Sequence, residues 1–566
     1  MATSGSRSLL GRKSFSLRQI VFGGLLATLF VAWAVPTVAA PTRAAPASSV
    51  TPACSGSRDL ALRNGKIVTL STPAIVSEVV IRDGLVVHVG PGGRHDYTPC
   101  TRVIDLKGRT AIPGLIDGHI HFVTWGFRPG NDARLDRAES IADAMHIIAK
   151  RADGLAARQW VTAVGGWSRS QFSDNRLPTR DELDQVSPNN PVFVWEREGL
   201  PAVTNSSGAA YFTGHGIAVS ANGELAVGRD TAVAYSLLGT SQVDPQRGTR
   251  DAMAYLAGVG VTTVADMGVN AAPEGQRPPE RSWHSGFVDV YRAYDSVLAL
   301  SHADQLTLRV RLDFLDTPDG PAHDAERLKY QFPSFGNDML KTLCMGEFIT
   351  PDPAKYGDSA LAVAQRGGWC HEQHVMGLTD IRKFIGIWEG VNAKVPLAGR
   401  HWRLAHVFGI DADALSRLRV LGAGVNVAAM LYAPGNQLPG LSREIPYRSI
   451  LNSGVPVAGV SDGPNFMPVD PWIHISLMVT GKDSQGRQVV ASGETLDRTQ
   501  ALRFYTSNQA WFLDDDRLGT IKPGSFGDIV VLDRDYLAVP EGEIRGIQAS
   551  MTIVGGQVVY DGAGGR

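Results

Sequence analysis

Ala111-Ile112-Pro113-Gly114-Leu115-Ile116-Asp117-Gly118-His119-Ile120-His121-Phe122 reads as a buried strand that ends in a histidine pair. Residues two apart on a strand project to the same side, so the imidazoles of His119 and His121 face one way. Two neutral imidazoles converging at a strand end can hold a divalent metal such as zinc. The plain alternative is two histidines in a turn after Gly118, and the rest of the chain decides between the two.

Downstream, residues 114–502 alternate apolar β-rich runs with helical stretches. Val261-Thr-Thr-Val-Ala-Asp266, Leu308-Arg-Val-Arg-Leu312 and Val455-Pro-Val-Ala-Gly-Val460 are examples. This alternation predicts a parallel sheet of the α/β class, and the length suits a (β/α)8 TIM barrel with an insertion near 155–250, where the pattern is less regular. The flanks differ. Asp59-Leu-Ala-Leu-Arg-Asn64-Gly65-Lys-Ile-Val-Thr-Leu reads as strand, Asn-Gly turn, strand, and Val79-Val-Ile-Arg-Asp83-Gly84-Leu-Val-Val repeats the device. Gly527-Asp-Ile-Val-Val-Leu-Asp533 and Met551-Thr-Ile-Val-Gly555-Gly556-Gln-Val-Val-Tyr560 have the same texture. Neither flank can close a core alone, so residues 58–113 and 503–566 are expected to build one small β-sandwich together.

In a (β/α)8 barrel the chemistry sits at the C-terminal strand ends. One strand-plus-helix unit takes roughly 30–40 residues, and candidate ligands recur on that spacing. Lys341, His374 and His406 follow one another at about one unit each, and Asp462 comes about two units later. Each has an alternative. Lys341 could be a surface lysine at a strand edge, and Asp462 a helix cap. His374 competes with His371 in His371-Glu-Gln-His374, which is one residue short of the zincin H-E-x-x-H. His406 competes with His401, although Leu404-Ala405 suits a strand better. Their joint order favours a metal site.

The 566 residues are 43% hydrophobic and 19% charged, with a formal net charge of -2. Such a balance supports a large core and argues against a nucleic-acid partner. The N-terminus reads as an export signal over 1–40. Arg7, Arg12, Lys13 and Arg18 precede the uncharged, mostly apolar stretch Ile20 to Val35, with small-residue cleavage candidates at Ala39-Ala40 and Ala44-Ala45. Arg12-Lys13-Ser-Phe15 resembles a twin-arginine signal without its second arginine. Residues 41–57 read as a linker. A periplasmic or secreted protein without stable membrane insertion is expected, with self-association left open. Of four cysteines, Cys54 and Cys100 flank the N-terminal strands and are expected to pair after export. Cys344 and Cys370 are expected to stay free thiols. Trp125, Phe127, Trp167, Tyr432 and Trp472 are candidates for apolar lining of the barrel mouth, or for core.

The chain resembles the amidohydrolase superfamily, in particular the family 3 branch that includes N-substituted formamide deformylases. The motifs are Val103-Ile-Asp-Leu-Lys-Gly108 through His121, Gly459-Val-Ser461-Asp462-Gly-Pro464, Ala501-Leu-Arg-Phe-Tyr505-Thr506, and Gly519-Thr-Ile-Lys522-Pro-Gly524 through Asp533. The resemblance implies a TIM barrel carrying a urease-like composite β-domain from both termini. It implies that His119 and His121 hold one metal and His374 and His406 a second. Carboxylated Lys341 would bridge two Zn²⁺, and Asp462 would bind the first and shuttle protons; a single-metal site is the opposing arrangement. Departures stand beside the ligands. Met345-Gly346-Glu347 follows Lys341 where the branch shows Asp-Gly, Gly377-Leu378 replaces Gly-Asp, and Ala405 replaces a Glu. Glu198-Gly199-Leu200 stands where a D-G-H segment is usual. The expected activity is hydrolysis of a non-peptide C–N bond of a small molecule. Ester or lactone hydrolysis, and an exported binding protein on an inactive scaffold, are the alternatives.

Overall fold

The computed structural model describes residues 54–93, 97–197, 199–268, 292–315, 321–348, 353–433 and 445–562. The expected export signal and most of the expected linker lie outside them, as does Glu198. Residues 55–566 form one compact unit.

Its first strands are β1 (Leu60–Val68), β2 (Ile75–Arg82), β3 (Leu85–Gly90), β4 (Arg102–Asp105) and β5 (Thr110–Pro113). Asp83 and Gly84, at φ 51° and 84°, form the two-residue turn joining β2 to antiparallel β3. The turn expected at Asn64-Gly65 does not form. There β1 continues through a bulge in which Asn64, Gly65 and Lys66 face only Ser77 of β2. The bulge is held against the next segment, since Gly108 N donates to Asn64 O at 2.7 Å.

The barrel begins with β6 (Leu115–Ile120), all of whose residues are buried. Before the next barrel strand the chain makes a separate five-stranded sheet from β7 (Asn131–Asp132), β8 (Val161–Val164), β9 (Val192–Trp195), β10 (Ala202–Thr204) and β11 (Glu224–Leu225). This insertion starts near 131, earlier than the sequence pattern suggests, because the amphipathic helix Ile141–Ala152 reads like an ordinary barrel helix. The barrel continues with β12 (Val261–Asp266), β13 (Arg309–Phe314), β14 (Leu340–Phe348), β15 (Cys370–His374), β16 (Arg403–Ala405), β17 (Gly424–Ala428) and β18 (Val457–Val460). All pair in parallel in the order β6-β12-β13-β14-β15-β16-β17-β18. The two ends of that order meet where Asp462 N donates to His119 O at 2.9 Å.

Near-continuous apolar runs are what a parallel sheet covered by helices requires. The covering helices supply matching stripes. Leu378–Asn392 buries Ile381, Phe384, Ile385, Trp388 and Val391, the spacing of one helical face. Trp125, Trp167, Tyr432 and Trp472 are buried in the core clusters, and Phe127 packs against one of them.

The chain ends in β19 (Ile529–Leu532), β20 (Ala549–Val554) and β21 (Gln557–Asp561), which join the first sheet in the order β21-β20-β19-β5-β1-β2-β3, with β4 beside β1. The pairing of β19 with β5 makes this one domain from both flanks. Val86 N donates to Ser525 O at 2.8 Å, so the β3 edge curls back towards β19 over a core of Leu62, Val79, Ile81, Val531 and Ile553.

None of the cysteines is free, and Cys54 and Cys100 are each disulfide-bonded. Cys344 and Cys370, expected as thiols, are joined to each other. They are register partners on β14 and β15 with Cα atoms 4.7 Å apart, within the span of a disulfide.

Candidate metal centre

Five of the six residues singled out in the sequence converge at the C-terminal end of the barrel; Lys341 does not. His119 is the penultimate residue of β6, and His121 follows one residue beyond the strand. The backbone of His121 is fixed by its N–H donating to Gly463 O at 2.7 Å. Asp117, buried beneath the pair, accepts from Ser461 N at 3.0 Å and from His119 N at 3.3 Å, tying β6 to β18. Burial pushes this carboxyl up to about 6. His406 and Asp462 follow the ends of β16 and β18 in the left-handed region, at φ 36° and 53°. Such conformations cost roughly 1–3 kcal/mol each and cluster at functional sites.

Glu347 completes the group. Its Oε1 lies 2.5 Å from His374 Nδ1 and 2.7 Å from His406 Nε2. Its Oε2 lies 3.6 Å from His119 Nε2 and 4.0 Å from His121 Nε2. Asp462 Oδ1 is 3.3 Å from His119 Nε2 and 3.4 Å from His121 Nε2. Two donor sets result, His119-His121-Glu347-Asp462 and Glu347-His374-His406, each with its ligand atoms within 4.8 Å of one another. Glu347 belongs to both. Gly346 before it, at φ 151°, leaves no room for a side chain, because a Cβ there would lie 2.6 Å from Glu372 O.

These residues fit a divalent cation. Lone pairs of four imidazoles and two carboxylates confront one another, and only protons or a cation reconcile them. His119 Nε2 is buried and meets no partner in hydrogen-bonding geometry among the described residues. Without a metal, protons take that role. Burial disfavours ionisation of His119, but Glu372 and Glu347 raise it well above the ordinary histidine value. Burial likewise opposes protonation of His374, and Glu347 raises it. Glu347 is held far below the usual carboxylate range against its own burial, chiefly by His374 and His119. The side chains of His121, Asp462 and His374 are 18%, 13% and 29% exposed, whereas His119 is fully buried, so among the described residues the cluster meets solvent through these three.

Lys341 is the second residue of β14, at the opposite end of the barrel from the cluster. It shares a strand face with Glu347 but lies six residues away, and with two bulges between them the separation is roughly 15 Å at about 3.3 Å per paired position. Its Nζ is 3.5 Å from Asp515 Oδ2, and burial together with Arg311 lowers its pKa. Between the two histidine pairs, where a carboxylated Lys341 was expected, stands the carboxylate of Glu347.

The two histidine ambiguities resolve clearly. His371 has both nitrogens engaged, by Tyr356 Oη at 2.8 Å and Met345 O at 2.9 Å, and burial pushes it down to about 3. His401 precedes β16 and lies 3.5 Å from Asp514. Sequence reasoning missed Glu347 and two supporting carboxylates. Asp266, at the end of β12, accepts from Val123 N at 2.8 Å and Gly268 N at 3.0 Å, anchoring the turn after His121. Glu372 contacts His119 Nδ1. An acidic residue at or near the end of an apolar strand is the signal shared by Asp266 and Glu347.

Barrel and cluster together place the protein among the metal-dependent hydrolases built on this fold. The chain belongs to the amidohydrolase family, whose profile matches residues 102–560. It is 26% identical over 556 residues to the N-substituted formamide deformylase of Arthrobacter pascens, covering 90% of this chain and 99% of that one. Among solved structures, an uncharacterized metal-dependent hydrolase from Pyrococcus furiosus superposes with a TM-score of 0.57 at 19% identity, covering 85% of this chain and all of that one. The atrazine chlorohydrolase of Arthrobacter aurescens TC1 complexed with zinc gives a TM-score of 0.51 at 15% identity, covering 89% and 95%.

Proposed function

We propose that the protein hydrolyses a non-peptide carbon–nitrogen bond of a small molecule, of the N-substituted formamide or N-acyl amine type, with two zinc ions sharing Glu347. The observation that carries this reading is the division of the Glu347 oxygens, Oε1 towards His374 and His406 and Oε2 towards His119 and His121. A divalent ion held there acidifies water and polarises a carbonyl. His119, His121 and Asp462 would hold one ion and His374 and His406 the other.

Asp462 sits on the partly exposed rim beside His121, where it can take the proton of an attacking water and return it to the departing nitrogen. An amine leaves poorly unless protonated, so a carboxylate in this place favours C–N cleavage. The deformylase relative supports formamides as the first substrates to try. Action outside the cytoplasm is part of the proposal; the basic-then-apolar N-terminus and the disulfide-bonded cysteines support it.

The test is zinc reconstitution followed by a panel of N-substituted formamides, N-acyl amino acids and lactones. Amine release from the first two classes is expected. Turnover of lactones alone would move the chemistry to C–O bonds, and a zinc-loaded protein inert to all three would contradict the proposal.

A further inference from the structure

Beneath the ligands lies a buried polar array that neither the metal-binding set nor proton transfer uses. Glu372 is on β15, two residues before His374 and on the same face. Its Oε1 contacts His119 Nδ1 and accepts from Asn426 Nδ2 at 3.0 Å, and its Oε2 accepts from Arg403 Nε. Glu372, Arg403, Asn426 and His119 are all fully buried. Arg403 is the register partner of Glu372 on β16 and is itself anchored. Its Nη2 donates to Asp313 Oδ2 at 2.9 Å, and its Nη1 to Phe512 O and Cys344 Sγ, each at 2.9 Å. The array therefore spans β13 to β17 and ends on one ring nitrogen of one candidate ligand.

We infer that Glu372 is a positioning residue for His119: its carboxylate accepts the hydrogen bond of Nδ1–H, holding the proton on that nitrogen and leaving Nε2 as the lone-pair donor aimed into the cluster. An imidazole that coordinates through one nitrogen carries its proton on the other, and a carboxylate there fixes both tautomer and ring angle. Asn426 holds the same oxygen that meets His119 and Arg403 holds the other, so both carboxylate oxygens of Glu372 are tied down. A core ion pair between Glu372 and Arg403 alone would need no contact with His119. Arg403 already has Asp313 as a second anionic partner.

The inference rests on the reading that the cluster binds a divalent ion, and one titration separates the two. Metal-free wild type and Glu372→Gln, both full-length, compete with a chelator for zinc, and the cobalt-substituted absorption spectra are compared. Weakening by about 10- to 100-fold in Glu372→Gln, with an altered cobalt spectrum, is expected. Equal zinc affinity in the two proteins overturns the positioning role. Absence of zinc binding by wild type instead overturns the underlying metal reading. If Glu372→Gln does not fold, Asn426→Ala decides, because it removes only the donor that aims the same carboxylate oxygen. A smaller loss of affinity is expected there, and no loss overturns the inference.

Discussion

Glu347→Gln keeps the shape of the side chain and removes its charge. In the protein that carboxylate is buried, with one oxygen 2.5 and 2.7 Å from His374 and His406 and the other 3.6 Å from His119. Removing one partner from a buried charged constellation typically costs about 3–5 kcal/mol. At about 1.4 kcal/mol per decade that is roughly two to three and a half decades of metal affinity. The paired control is Lys341→Met. Lys341 pairs with Asp515, which also has Arg517 at 2.9 Å, and this pair lies at the other end of the barrel, so its loss leaves the cluster's ligands in place. Zinc content after dialysis, with chelator competition for the affinity, is the assay. Glu347→Gln should lose most of its metal and Lys341→Met should keep it. The reverse result, metal retained without Glu347 and stripped without Lys341, would refute the placement of the shared ligand.

Asp462→Asn should keep much of its zinc while kcat falls about 10²–10⁴-fold, the usual worth of positioned proton transfer; an unchanged kcat would remove Asp462 from that role. Zinc binding should weaken as pH falls, because metal requires neutral imidazoles and the raised values of His119 and His374 in the metal-free site let protons compete above the ordinary histidine value of about 6.5. Affinity that is flat between about pH 8 and 6 would contradict those interactions. Thiol counting under denaturing, non-reducing conditions should find no free cysteine, and two would restore Cys344 and Cys370 as thiols.

Much of the site was legible because barrel geometry restricts where ligands can stand. His119, His121, His406 and Asp462 stand at the ends of largely apolar runs, and His374 ends the more polar strand Cys370–His374, so the strand-end rule reaches all five. Lys341 failed for a reason of length. β14 runs from Leu340 to Phe348 and carries Lys341 and Glu347 on one face, so only the strand boundaries decide which of them reaches the metal level. Pattern alone places boundaries to within a few residues. Cys344 and Cys370 were misassigned similarly, since a parallel register cannot be read from either strand alone. The Asn64-Gly65 signal is locally sound for a hairpin, but packing of the 105–109 segment against β1 turns it into a bulge. Glu372 left no sequence signal distinct from a buried ion pair, because its role depends on a partner more than 250 residues away.

Anomalous scattering at the zinc edge from crystals of the metal-loaded protein tests the central claim most directly. The account predicts two peaks on either side of the Glu347 carboxylate. One should lie within about 2.0–2.2 Å of nitrogens of His119 and His121 and an oxygen of Asp462, and the other at similar range from His374 and His406. A peak beside Lys341, or metal density that Glu347 does not touch, would contradict it.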